Sequence, residues 1–239
     1  MRDTAPPRQL AFDLPLDPRY GREDFLVGPA NEAAYGLIEA WPDWPDTVLL
    51  LQGPPGSGKS HLASIWASRA HAWTVPADAL AADQVTHLVS NGALVIEDID
   101  RVGERDEAAL FHLLNLARER RCATILTAAR PVDAFGLRVA DLRSRLRLAP
   151  SVEILAPDDA LLRAVIVKLF ADRQIVIDLS VVEAVALRID RSLARAREIV
   201  AELDRDALGR GRRITKPLAL ALLDRIGTAG EGSREDEDA

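Results

Sequence analysis

Two groups of residues in this 239-residue sequence have the types and spacing that chemistry would need. The first is Gly53-Pro54-Pro55-Gly56-Ser57-Gly58-Lys59-Ser60, followed by His61. Its glycines let successive backbone N–H groups converge on one anion, and its final pair supplies an ammonium and a hydroxyl. This is the full pattern of a phosphate-binding loop. Lys59 is predicted to reach the β- and γ-phosphates of a bound nucleotide, and Ser60 to coordinate Mg2+, with His61 continuing the nucleotide-binding segment. A glycine-rich surface turn would need neither the lysine nor the hydroxyl. Lysine occurs only at 59, 168 and 216 among the 30 basic residues, so Lys59 departs from the chain's usual cation, arginine. The second group is Ala93-Leu94-Val95-Ile96-Glu97-Asp98-Ile99-Asp100, an apolar run that ends in acids. At the carboxyl end of a strand one acid can hold a metal while its neighbour orients an attacking water. Glu97 is the metal-side candidate and Asp98 the water-side candidate.

Both groups require a parallel sheet to bring them together. Thr47–Gln52 is short, apolar and bounded by Pro and Gly, as expected of a strand covered on both faces. It leads into the glycine loop, and a helix from Lys59 to about His71 places Leu62, Ile65 and Trp66 on one side. A helix over Asn31–Trp41 comes before it. Further strands are predicted at Trp73–Pro76, Ala93–Glu97, Ala123–Thr127 and Val152–Leu155, with helices over Glu107–Arg120 and Ala140–Leu146. The fold class is α/β, a five-stranded parallel sheet flanked by helices. From about residue 157 helical spacing takes over: Pro157-Asp158-Asp159 starts a first helix, Ser180 caps a second, Ser192 a third running to Leu208, and Thr215 a fourth. The expected organisation is a leader over 1–22 with Pro6, Pro7, Pro15 and Pro18, a nucleotide-binding domain over 23–156, a small helical domain over 157–226, and a disordered acidic tail over 227–239.

The chain is 48% hydrophobic and 28% charged, the composition of an ordinary globular protein. The net charge is −7, and Glu231, Glu235, Asp236, Glu237 and Asp238 account for much of it. A folded body so nearly balanced lacks the basic excess of an autonomous DNA binder. Cys122 stands alone, which excludes an internal disulfide, and the four histidines show no metal-ligand spacing. No apolar run approaches a membrane span. A cytoplasmic protein is expected.

The glycine loop, the Glu97-Asp98 strand end, the segment Ala140-Asp141-Leu142-Arg143-Ser144-Arg145-Leu146 and the helical region after it together resemble the AAA+ ATPases, and within them the DnaA/Hda family of replication initiators and their regulators. The resemblance covers about residues 22 to 226. It implies that Phe25-Leu26-Val27-Gly28-Pro29-Ala30-Asn31 lies near the adenine, with Leu26 and Val27 binding nucleotide, and that Arg145 is an arginine finger. The second sensor arginine would fall near Ala194, which puts Arg195 in its place. The sequence departs from the family pattern in two respects. Its acid pair is Glu-Asp, and the polar first sensor is replaced by Ala129, unless Thr127 substitutes for it. Gln9-Leu10-Ala11-Phe12-Asp13-Leu14 is similar to peptides that dock in the pocket of the DNA polymerase sliding clamp, through Gln9, Leu10, Phe12 and Leu14. The family's DNA-reading helix-turn-helix domain has no counterpart, so sequence-specific DNA binding is not expected. The resemblance implies an Hda-like regulator that binds adenine nucleotide and the clamp and stimulates hydrolysis of DnaA-bound ATP, with weak turnover of its own. Its partners would be DnaA, the clamp and other copies of itself in a homo-oligomer. The alternative is a helicase loader or another AAA+ ATPase hydrolysing its own ATP. A nucleoside monophosphate kinase shares the loop but needs neither the acidic strand end nor the helical domain.

Overall fold

The computed structural model describes residues 21–103, 106–210 and 212–232. The chain forms two compact units, one from Tyr20 to Asp158 and one built from Asp159 onward. In the first unit the strands β1 (Val48–Gln52), β2 (Trp73–Pro76), β3 (Ala93–Glu97), β4 (Ala123–Ala128) and β5 (Ser151–Glu153) form one sheet in the order β2-β3-β4-β1-β5. All four pairings are parallel. Between the strands run α1 (Glu32–Glu39), α2 (Lys59–Ala70), α3 (Val85–Ser90), α4 (Glu107–Glu119) and α5 (Ala140–Leu148). No helix is predicted from the sequence between β2 and β3. The six-residue α3 stands there because a parallel crossover must leave the sheet and return, and a single turn and a half of helix suffices.

Side chains alternate across the strands, so the sheet carries two cores. Leu49, Leu51, Val95 and Ile125 face Ile38 of α1 and Leu62, Ile65 and Trp66 of α2. Leu50, Leu94, Ile96 and Leu126 face α3, α4 and α5 through Leu88, Leu110, Leu113 and Leu142. Each of these leucines and isoleucines contributes about 1.5–3 kcal/mol on full burial. The indole of Trp66 packs against Trp41 and Trp44, with ring centroids at 6.0 and 5.1 Å. Arg69 lies over Trp41 and donates to the carbonyls of Glu39 and Trp41, which ties α2 to the end of α1.

The second unit contains α6 (Asp159–Asp172), α7 (Leu179–Ala186), α8 (Leu193–Arg210) and α9 (Lys216–Gly232) around Leu162, Ile166, Phe170, Val185, Ile199, Leu203 and Leu222. Two boundaries differ from those predicted. Asp178, not Ser180, caps α7: its Oδ1 accepts the Ser180 N–H at 2.8 Å, and a carboxylate at that place also complements the helix dipole. Helix α9 runs on to Gly232, past residue 227, where the sequence analysis begins a disordered tail. The backbone propagates from the preceding apolar turns, since extending a formed helix is far easier than nucleating one.

Candidate functional site

Parallel register determines which residues meet. Leu51 of β1 lies opposite Thr127 of β4, and Ile96 of β3 opposite Leu126. The carboxyl ends of β1, β3 and β4 therefore deliver the glycine loop, Glu97-Asp98 and Thr127 to one edge of the sheet, where ligands of open α/β folds bind. Gly53, Gly56 and Gly58 all have positive φ, at 150°, 74° and 106°. The loop needs them for space as well as for conformation, because a Cβ on Gly53 would stand 2.1 Å from the Ile154 carbonyl oxygen. Within the loop the Lys59 ammonium donates to the carbonyls of Gly53 at 2.8 Å and Pro54 at 3.1 Å. Burial lowers the Lys59 pKa from its ordinary 10.5, against the opposing pull of Asp98, Asp100 and Glu97. Ser57 Oγ is buried with no hydrogen-bond partner among the described residues. A backbone cradle closed to any side chain at Gly53, a central desolvated ammonium and an unpaired buried hydroxyl fit a polyphosphate.

Beside the loop, Glu97 gathers three elements. Its Oε2 accepts from Ser60 Oγ at 3.1 Å and from Thr127 Oγ1 at 2.5 Å. The Thr127 oxygen in turn accepts the backbone N–H of Asp98 at 2.9 Å. The two predicted magnesium ligands, Ser60 and Glu97, are thus adjacent. Among the described residues no three His, Cys, Asp or Glu side chains converge as a protein-built metal cage. A cation at this place would be shared with phosphate and water, as Mg2+ commonly is. Asp98 has a left-handed backbone, with φ 56°, and its carboxylate stands 3.5 Å from Arg101.

The lead-in segment packs on the start of α2. Phe25 stacks on Tyr35 and meets His61 edge-on, and His61 Nε2 lies 3.2 Å from the Gly21 carbonyl. Buried Asn31 holds the segment from both sides, accepting from Gly28 N at 2.8 Å and donating to Leu26 O at 3.0 Å. Val27 is left 48% exposed beside it.

The remaining candidates are spread more widely. Arg145, on α5, lies 5.3 Å above the Phe111 ring of α4. Arg143 is exposed. Arg195 belongs to the helical unit and pairs with Glu198 at 2.9 Å. Gln9, Leu10, Phe12 and Leu14 lie outside the described residues.

Three positions escape the sequence reading. Asn31 is one. Another is Asp100, 7% exposed, which accepts Ala129 N at 3.1 Å and Arg130 Nε at 3.2 Å while Arg130 Nη2 donates to its carbonyl at 2.6 Å. The third is buried Glu107, whose carboxylate accepts the N–H groups of Arg138 and Val139 just ahead of α5. Glu107 opens its helix, where an acid is ordinary, so nothing in the sequence marks it.

No family model matches the chain. The chromosomal replication initiator protein DnaA of Thermomicrobium roseum is 26% identical over 231 residues, an alignment that takes in 87% of this chain and 49% of that protein. The chain spans about half or less of the curated relatives that it matches. Among solved structures, domain III of the Thermotoga maritima replication initiation protein DnaA superposes with a TM-score of 0.75 at 20% identity, covering 88% of this chain and 98% of that one. AMPPCP-bound DnaA from Aquifex aeolicus gives 0.68 at 21% identity, over 82% and 69%. The Thermotoga maritima RuvB Holliday junction branch migration motor gives 0.69 at 21% identity, over 86% and 72%. The fold is the one seen in domain III of DnaA, a five-stranded parallel sheet flanked by helices and followed by a helical unit.

Proposed function

We propose that this AAA+ module binds adenine nucleotide with Mg2+ and acts as an Hda-like regulator of replication initiation, stimulating hydrolysis of ATP held by DnaA. The observation that carries the nucleotide reading is the meeting of the Gly53–Lys59 cradle with Ser60, Glu97 and Thr127 at one sheet edge. The relative captured with AMPPCP, an ATP analogue, supports it. In this reading the loop N–H groups and Lys59 hold the phosphates, and Ser60 and Glu97 hold the cation. The cation would neutralise phosphate charge. Leu26 and Val27 flank the base, on a segment that Asn31 keeps in place. Arg195 keeps the part of second sensor that the family resemblance gives it.

Slow self-hydrolysis follows from the other side of the site. Ala129 has no polar side chain, and its N–H is already bonded to Asp100. The charge for a partner's reaction would come from Arg145, whose planar guanidinium suits a transferring phosphoryl group. The Gln9–Leu14 peptide would dock on the sliding clamp and so raise the local concentration of Arg145 near DnaA on the same DNA. The test is phosphate release from DnaA-ATP with clamp-loaded DNA. Arg145→Ala should abolish the stimulation while keeping nucleotide and clamp binding. Stimulation equal to that of the unaltered protein would remove Arg145 from the mechanism and turn attention to Arg143.

One observation favours the second reading, a helicase loader or other AAA+ protein that turns over its own ATP. The Thr127 hydroxyl stands on Glu97 and could take the part of the missing polar sensor. Unaided turnover near the ~10 per second of a typical enzyme would select that reading.

A further inference from the structure

The helical unit distributes its cations unevenly. Arg163, Lys168, Arg173, Arg188, Arg191 and Arg195 are all engaged in ion pairs, with Glu183, Asp172, Asp204, Asp224, Asp159 and Glu198 respectively. The connection between α8 and α9 differs. From Ala207 to Leu223 the sequence contains no acid, yet Arg210, Arg212, Arg213 and Lys216 fall within it. The side chains of Arg212, Arg213 and Lys216 are exposed, and none makes an ion pair among the described residues. Arg212 N–H bonds back to the carbonyl of Ala207 in the last turn of α8 at 3.1 Å, which anchors the start of the cluster. The six paired cations show that acids are at hand in the unit, whereas this acid-free stretch gathers three exposed cations within five residues of a chain of net charge −7. The near-balanced overall charge conceals it.

Like charges crowded on a short turn repel one another, and a polyanion relieves that repulsion. Arginine forks match phosphate oxygens in pairs, whereas a lysine acts as a point charge. A nucleic-acid strand presents a charge about every 3.4 Å, dense enough for neighbouring side chains to engage neighbouring phosphates. The sequence from 207 to 223 contains no aromatic residue on which a base could stack. We infer that the α8–α9 turn, through Arg212, Arg213 and Lys216, is a docking surface for the phosphate backbone of nucleic acid, without regard to base sequence.

The test uses the full chain and fluorescence anisotropy with labelled oligo-dT, a labelled mixed-sequence single strand and a labelled duplex. Binding should fall in the non-specific range of about 10⁻⁴–10⁻⁶ M, weaken steeply between about 50 and 200 mM salt, and be equal for the two single strands. Arg212→Ala, Arg213→Ala and Lys216→Ala together should weaken it at least about tenfold and lower the salt slope by about 2–3. All three side chains are exposed, so the triple variant should keep the unaltered melting temperature. Arg163→Ala with Arg188→Ala, which removes two paired cations of the same unit, should leave affinity unchanged. Equal binding by the triple variant, or equal loss in the paired-cation variant, would overturn the inference. Displacement of the DNA by polyglutamate at matched charge would reassign the turn to acidic peptides.

Discussion

Lys59 is the only lysine of the sheet unit, and its environment makes a pH effect predictable. Desolvation lowers its pKa from 10.5. Between the lowered value and 10.5 the unfolded chain holds more protons than the folded one, so stability rises with pH across that window and is independent of it below. Phosphate favours the charged ammonium, which gives the opposite trend for binding: ADP affinity should fall as pH climbs through the window. Calorimetry in buffers of different ionisation enthalpy should show proton uptake there. Lys59→Ala should bind ADP too weakly to measure, at any pH. Thr127 is the second residue with a decisive part, as its hydroxyl both donates to Glu97 and accepts from Asp98 N–H. Thr127→Val keeps the shape and removes both bonds. Loss of about 1.5–3 kcal/mol in chemical denaturation is expected, together with a weaker dependence of nucleotide affinity on Mg2+. A variant as stable as the original and unchanged toward Mg2+ would show that Thr127 does not orient Glu97. The spacing Gly53–Ser60 is legible in sequence because one backbone shape demands it. Thr127 is legible only as a substitute for the polar sensor; its bond to Glu97, like the part played by Asp100, depends on strands meeting across the sheet.

Among the elements, α5 depends on α4 at two places. The Glu107 carboxylate accepts the N–H groups that precede α5, and Phe111, one helical turn further along, lies beneath Arg145. Glu107 therefore positions the helix that carries the proposed finger. Glu107→Ala leaves two backbone donors without their acceptor and should cost about 1–3 kcal/mol in thermal unfolding. If the regulatory reading holds, it should also reduce stimulation of DnaA-ATP hydrolysis while ADP affinity stays unchanged. Glu107→Gln, which keeps one acceptor oxygen, should recover part of both. The glycine loop shows the same dependence on a neighbour, since Ile154, after β5, closes against Gly53. Gly53→Ala cannot be accommodated without moving backbone, and at least a tenfold loss of ADP affinity is expected by calorimetry. Strands and long helices are legible here because apolar runs and three- and four-residue spacing report burial directly. The short α3 has too few residues to show a period, and the Asp178 cap lies two residues ahead of the serine that sequence preference suggested.

For the whole molecule, the proposed roles fall on different segments. The Gln9–Leu14 peptide precedes the sheet unit, so, if the proposed clamp docking holds, replacing Gln9, Leu10 and Phe12 by Ala should abolish clamp capture in a pull-down while ADP affinity and melting temperature stay as they were. Retention on the clamp by that variant would end the leader reading. The helical unit has a hydrophobic core of its own, with Phe170, Ile199 and Leu203 fully buried. Leu203→Ala should cost about 2–5 kcal/mol there. Where that loss would be seen follows from the aromatic cluster on α2. All four tryptophans of the chain, Trp41, Trp44, Trp66 and Trp73, belong to the sheet unit, and the helical unit has none. The molecule is thus optically lopsided: indole emission reports the melting of one unit, whereas far-ultraviolet ellipticity reports both. The two signals need not coincide on heating, and a gap opened between them by Leu203→Ala would measure how independently the two units unfold.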